Sequence, residues 1–222
     1  MSPVVNEASP ARARVLAAVA ARVPGADGQG CVRVAVDGVD GAGKSVFADE
    51  LAAVLREAGR HVVRASVDDF HHVRAVRYAQ GPDSPGGFWL DSFDYPALRA
   101  ALLDPLGPGG TRRYRTAAHD LDTDAPLDPP WLDAPAGAVL VLDGLFLHRD
   151  ELAGSWDLSV FLDVPFAVSA ARTAARDATD PADPRQPRHI GGQLLYFAAC
   201  SPAGRADIVV DNADWAAPRV LG

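Results

Sequence analysis

The segment GVDGAGKS, residues 38–45, sets three glycines, a lysine and a hydroxyl within eight positions. Lys44 is the only lysine among 21 basic residues. Glycines let successive backbone N–H groups turn toward one anion, and a helix that follows adds the partial positive charge of its N-terminus. The spacing G-x-x-x-x-G-K-S is that of a phosphate loop. Gly38, Asp40, Gly41, Ala42, Gly43, Lys44, Ser45 and Val46 are therefore the expected nucleotide-binding set. Lys44 is expected to supply a point charge to the β and γ phosphates of a nucleotide, and the Ser45 hydroxyl a ligand for Mg²⁺. A slender ammonium reaches between phosphates where a planar guanidinium fork fits poorly, which explains why an arginine-rich chain keeps a lysine here.

A phosphate loop alone does not separate ATPases, GTPases and kinases. Guanine is read in the common GTPases by an Asn/Thr-Lys-x-Asp element, and a chain whose sole lysine already stands in the phosphate loop has none. Asp143 ends the apolar run AVLVLDG, where its carboxylate either holds the metal opposite Ser45 or caps the next turn.

These residues need a scaffold that brings strand ends together. CVRVAVD (31–37) is short, β-branched and apolar, the pattern of a strand buried on both faces. The helix KSVFADELAAVLREAG follows, with Phe47, Leu51, Val54 and Leu55 on one face and Gly59 as its stop. HVVRASV (61–67), AVLVLDG (138–144), DLSVFLDV (157–164) and ADIVVDN (206–212) are the further strands. Ser9-Pro10 starts an N-terminal helix that ends at Pro24-Gly25. Pro165 opens a helix through about Arg176, PADPRQPR interrupts it, and HIGGQLLYFAAC resumes. Between Asp68 and Pro135 the chain is polar and rich in Gly and Pro; one helix is expected from Pro96 to Leu103, and TRRYRTAAHDLDTD reads as a hairpin or extended arm. Alternating strands and helices predict a three-layer α/β domain over 1–222 with a mainly parallel five-stranded sheet.

Composition narrows the partners. With 222 residues, 48% hydrophobic, the chain can bury one full core, and a net charge of −8 disfavours nucleic acid and anionic membranes. No run of about 18 apolar residues spans a bilayer, and the N-terminal stretch lacks a secretion pattern, so a cytoplasmic location is expected. Cys31 and Cys200 have neither disulfide-framework nor zinc spacing. Oligomeric state is left open.

GVDGAGKS, VDDF after the second strand, SFDYP, VLVLDG and RTAARDATD, taken in order over Val32 to Asn212, resemble the uridine kinase family of P-loop kinases. The resemblance implies a P-loop NTPase fold with a mobile lid over about 172–188 and a substrate-binding segment over about 70–125. It implies ATP- and Mg²⁺-dependent transfer to the primary hydroxyl of a small molecule, a nucleoside such as uridine or cytidine above all. Pantothenate, nicotinamide riboside or a sugar is the alternative acceptor, and a nucleotide-binding module without transfer is the alternative of another class. Asp68 matches the family's general base. Asp94 of SFDYP matches an aspartate that binds a ribose diol, although it is also placed to cap the Pro96 helix. Tyr114 and His119 fall on the substrate arm, whose sequence departs from the family. Arg172 and Arg176, four apart on one helix face, match lid arginines on the transferring phosphoryl group; a solvated basic face is the bland alternative. His71 and His72 are assigned no role.

Overall fold

Strand β1 (Val32–Gly38) is buried along its whole length, as its apolar run requires. Helix α1 (Pro10–Arg22) precedes it, with Ser9 accepting the amide of Arg12 and Pro10 in the first turn. The computed structural model describes residues 9–25, 30–177 and 186–221. After β1 come α2 (Lys44–Glu57) and β2 (Val62–Ser66), and then a tight 3₁₀ turn, Val67–Phe70. Short helices α3 (Arg74–Arg77), α4 (Pro85–Asp91) and α5 (Tyr95–Leu98) follow, the last running into a wide turn over Arg99–Leu103.

Two small ribbons come next. β3 (Arg113–Tyr114) pairs with β6 (Leu132–Asp133), and β4 (His119–Asp120) with β5 (Ala125–Pro126). The main sheet resumes with β7 (Val139–Asp143) and β8 (Leu158–Asp163), and helices α6 (Phe166–Asp177), α7 (Gln186–Cys200) and α8 (Pro202–Arg205) lead to β9 (Ile208–Asp211) and β10 (Arg219–Leu221).

The sheet order is β10-β9-β8-β1-β7-β2, with every pairing parallel except β10 against β9. The five expected strands are thus joined by a sixth, antiparallel one, too short and too exposed to show a strand pattern in the sequence. Alternation along the strands sends Val34, Val36, Val141 and Val160 toward α1 and α2, where Val19, Phe47 and Leu51 meet them. Ala35, Leu140 and Leu142 face the opposite layer with Phe70, Leu98 and Phe146. Fully burying each large apolar side chain contributes about 1.5–3 kcal/mol.

Two features of the second layer bear on the site. Gly192 lets α7 approach α4 closely: a Cβ there would stand 2.6 Å from Phe88 and 3.0 Å from the Pro85 carbonyl oxygen. Asp37, fully buried at the end of β1, accepts from the Gly38 amide, the Leu147 and His148 amides, the His148 Nδ1–H and the Tyr196 hydroxyl. One carboxylate therefore binds β1, the segment after β7, and α7.

Candidate active site

The phosphate loop lies between β1 and α2, at the carboxyl edge of the sheet, where open α/β sheets place their ligands. Gly43 occupies the left-handed region at φ +87, and a Cβ on it would fall 2.3 Å from the Trp215 ring. The first turn of α2 presents its unpaired amides into the loop. Lys44 Nζ donates to the Val39 carbonyl at 2.9 Å, which folds the ammonium across its own loop. The loop is tied down at both flanks: the Asp40 amide donates to Gln193 Oε1 at 2.8 Å, and Asn212 Nδ2 donates to the Ala42 carbonyl at 2.8 Å.

Ser45 Oγ donates to Asp143 Oδ2 at 2.6 Å. The other carboxylate oxygen of Asp143 meets Arg64 Nη2 at 2.8 Å, so the side chain is fixed rather than capping a turn. A hydroxyl and a carboxylate oxygen converging at the phosphate loop are hard donors that suit Mg²⁺, which keeps most of its shell as water and phosphate oxygen. Among the described residues no group of three or more His, Cys, Asp or Glu is placed to hold a metal by itself. The donor set thus fits a magnesium ion that arrives with the nucleotide.

Asp68 lies in the 3₁₀ turn after β2, its amide donating to Ser66 Oγ at 3.3 Å. The surrounding protein raises its carboxyl above the usual aspartate range; His71 and Lys44 pull it back, and Asp143 and Asp40 add to the rise. His71 Nδ1 lies 2.8 Å from the Asp68 carbonyl oxygen, and burial lowers the imidazole below its ordinary range, which leaves it neutral at pH 7. The backbone carbonyl of Asp69 accepts the Ala118 amide.

Two cavities meet at this turn. One, of about 520 Å³, runs from Lys44, Ser45 and Asp143 to Arg172, Arg176 and Trp215. The other, of about 300 Å³, extends past His71 and Phe88 to Arg74, Arg77 and Arg188. Asp40, Asp68 and Leu145 line both. The next residue, Phe146, holds a left-handed backbone at φ +66, a strain of about 1–3 kcal/mol in a bulky residue. Its fully buried ring is locked by Phe88, Trp89, Phe93 and Tyr196.

The structure brings together Gly43, Lys44, Ser45, Val46, Asp68, Asp143, Arg172 and Arg176 around the larger cavity. Arg172 Nη2 donates to the Asn212 and Ala213 carbonyls, and Arg176 lies 3.8 Å from Asp40 Oδ1. The lid expected over 172–188 falls in part, at 178–185, on residues outside those described. The substrate-arm residues are not brought together. Asp94 Oδ1 caps α5 through the Ala97 amide at 2.8 Å, and Oδ2 faces His72 Nδ1 at 3.7 Å. Tyr114 is buried in the second core layer, paired opposite Leu132, and burial raises its phenol. His119 is buried against Asp124 at 3.2 Å. None of the three lines either cavity: the ribbons of β3 and β4 pack Tyr114 and His119 inward, and Asp94 is held at the start of α5.

Several residues of the site carry no sequence signal strong enough to single them out. Trp215 walls the larger cavity and stacks on Arg12 at 4.1 Å and Arg172 at 5.9 Å. Arg12, fully buried, bonds Glu50 and Asn212 and so links α1 to the phosphate loop through Asn212. His71 lines the smaller cavity although its neighbour His72 does not. For α4 a signal existed: Ser84-Pro85 repeats the Ser9-Pro10 start, obscured by the two glycines that follow.

The parallel sheet, the phosphate loop at its carboxyl edge and the helices on both faces make up a fold that recurs among solved structures. Three solved structures share it: a possible uridine kinase from Bacillus stearothermophilus (TM-score 0.70, 23% identity, 89% of this chain and 96% of that one), a protein assigned as a fructose transport system kinase from a Silicibacter species (0.68, 22%, 85% and 95%), and D-glycerate 3-kinase from Cryptococcus neoformans (0.57, 13%, 95% and 96%). No protein-family model matches the sequence, and no curated protein matches it either. Among the described residues no helix is long and apolar enough to cross a membrane.

Proposed function

We propose that this protein transfers the γ phosphoryl group of ATP to a hydroxyl of a small molecule. The observation that carries this reading is Asp68, a carboxylate shared by the phosphate-loop cavity and a second cavity beside it. In the reaction the acceptor oxygen forms a bond to the γ phosphorus as the bond to the β–γ bridging oxygen breaks; Asp68 takes the acceptor proton, and ADP leaves. Lys44 and the amides of the loop orient the phosphates, and Arg172 and Arg176 approach from α6. Ser45 and Asp143 would hold Mg²⁺, which when bound neutralises charge on the β and γ oxygens.

The acceptor fills the smaller cavity. A nucleoside is the expectation that the sequence resemblance raises, but Asp94, Tyr114 and His119, which would read the ribose and base, stand outside that cavity. The neighbours named for fructose transport and D-glycerate support a wider range of hydroxyl acceptors for this fold.

Asp68→Asn tests the assignment. Turnover should fall about 10²- to 10⁴-fold while the ATP Kd measured by calorimetry hardly moves. Because the raised carboxyl must lose its proton before it can accept one, kcat in the parent falls with acidification at a pH above the ordinary aspartate value of about 3.9. The Asn variant lacks that limb. Unchanged turnover would remove Asp68 from its role.

A further inference from the structure

The smaller cavity gathers three arginines in a chain that is acidic overall. The chain carries a net charge of −8. Yet Arg74, Arg77 and Arg188 all line this one space, and none of them lines the larger cavity. Their guanidinium carbons lie 5.4, 5.6 and 4.6 Å from the centre of the same ring, that of Tyr78. Three like charges around one phenol repel each other, and a fold tolerates that only when something of opposite sign is present or arrives.

The protein supplies little of it. Asp124 Oδ1 meets Arg77 Nη2 at 3.3 Å and accepts the backbone amide of Arg74 at 2.7 Å, and it also faces His119. Arg74 is exposed, and its guanidinium meets no carboxylate among the described residues. Arg188 is 97% buried by its 3% exposure, its Nη atoms donate to the carbonyls of Arg77 and Ser84, and its Nε has no partner. Burial, and then the nearby Arg77, lower its affinity for its proton, while Tyr78, Asp83 and Asp91 offset this in part. Asp40 and Asp68 stand at the opposite mouth of the cavity, beside the phosphate loop.

We infer that the acceptor carries an anionic group, a phosphate monoester or a carboxylate, held by Arg74 and Arg77 with Arg188 fixing the wall behind them, while its hydroxyl points to Asp68. This rests on the phosphotransferase reading above. It fits the geometry of the cavity, because the acid at one end repels the anion and the arginines at the other attract it, so only one orientation presents the hydroxyl to the γ phosphate. Arg188 is a positioning residue: it binds the carbonyls that end α3 and begin α4.

The test compares acceptors matched in shape and different in charge: glycerol with glycerate, fructose with fructose 6-phosphate, pantothenol with pantothenate, and uridine as an uncharged reference. ADP release is measured at saturating ATP and Mg²⁺. For at least one pair the charged member should show a kcat/KM about 10²-fold or more above its neutral twin. Arg74→Gln should raise the KM for that acceptor about tenfold, more than it lowers kcat, and Arg77→Lys should recover most of what Arg77→Gln loses. Equal use of both members, or preference for the neutral one, overturns the inference. If no compound releases ADP, the transfer reading fails on its own, and inorganic phosphate decides the charge question. Calorimetry on protein saturated with a non-hydrolysable ATP analogue and Mg²⁺ should show phosphate binding that Arg74→Gln and Arg77→Gln each weaken about tenfold. No binding, or binding that neither variant alters, overturns it as well.

Discussion

The two cavities that meet at Asp68 are built in different ways. The larger one is made of a continuous loop and the ends of neighbouring parallel strands, so eight consecutive residues and one strand-end aspartate place most of its chemistry. The smaller one draws its wall from α3 and α4 and from α7, which lies far along the chain from them and is joined to them by packing and by carbonyl contacts of one buried arginine. Backbone amides bind a phosphate chain whatever else is attached to it. Side chains borrowed from short helices are free to change without disturbing the sheet, and on the proposed function that is where a choice of acceptor would be made.

This contrast breaks down if a change on one side travels to the other. The largest effect is expected from Lys44→Ala, which removes the only lysine; turnover should drop on the order of 10³-fold. ATP affinity should fall with it, while phosphate binding to the arginine wall, read by calorimetry, stays. Gly192→Ala is expected next. A methyl group 2.6 Å from Phe88 forces α4 and α7 apart, at a cost of about 1–3 kcal/mol in urea unfolding, and should raise the acceptor KM while sparing the ATP Kd. An ATP Kd that shifts as much as the acceptor KM would show that the two walls are one unit. The smallest effect is expected at Trp215→Leu, which removes an aromatic wall of the nucleotide cavity together with its stacking on Arg12 and Arg172. The ATP Kd should weaken by about three- to tenfold with kcat unchanged.

The same contrast governs what could be read from the residues in order. The strand β1, the loop and α2 announce themselves because an apolar run, a glycine turn and a helical period are contiguous. Asp143 is legible because a strand end is a fixed place in a parallel sheet. Asp94 and Tyr114 show the limit. SFDYP suits a diol-binding aspartate and a helix cap equally, and the structure gives its Oδ1 to the Ala97 amide. Tyr114 reads as an arm residue, but its pairing with Leu132, eighteen positions on, turns it inward. Arg74, Arg77 and Arg188 stand in a chain that uses arginine almost everywhere, so no single one of them is conspicuous. They become a group only through Tyr78. The short edge strand β10 is missed for another reason: three exposed residues carry no burial pattern.

Asp37 lines neither cavity, yet it sets how far apart their walls can be. Because its two oxygens gather hydrogens from the strand that launches the nucleotide turn, from the crossing segment behind Leu145, and from the helix that bears Arg188, none of these can slide without breaking the others' bonds. The spacing of the two cavities is thereby a distance that the interior enforces.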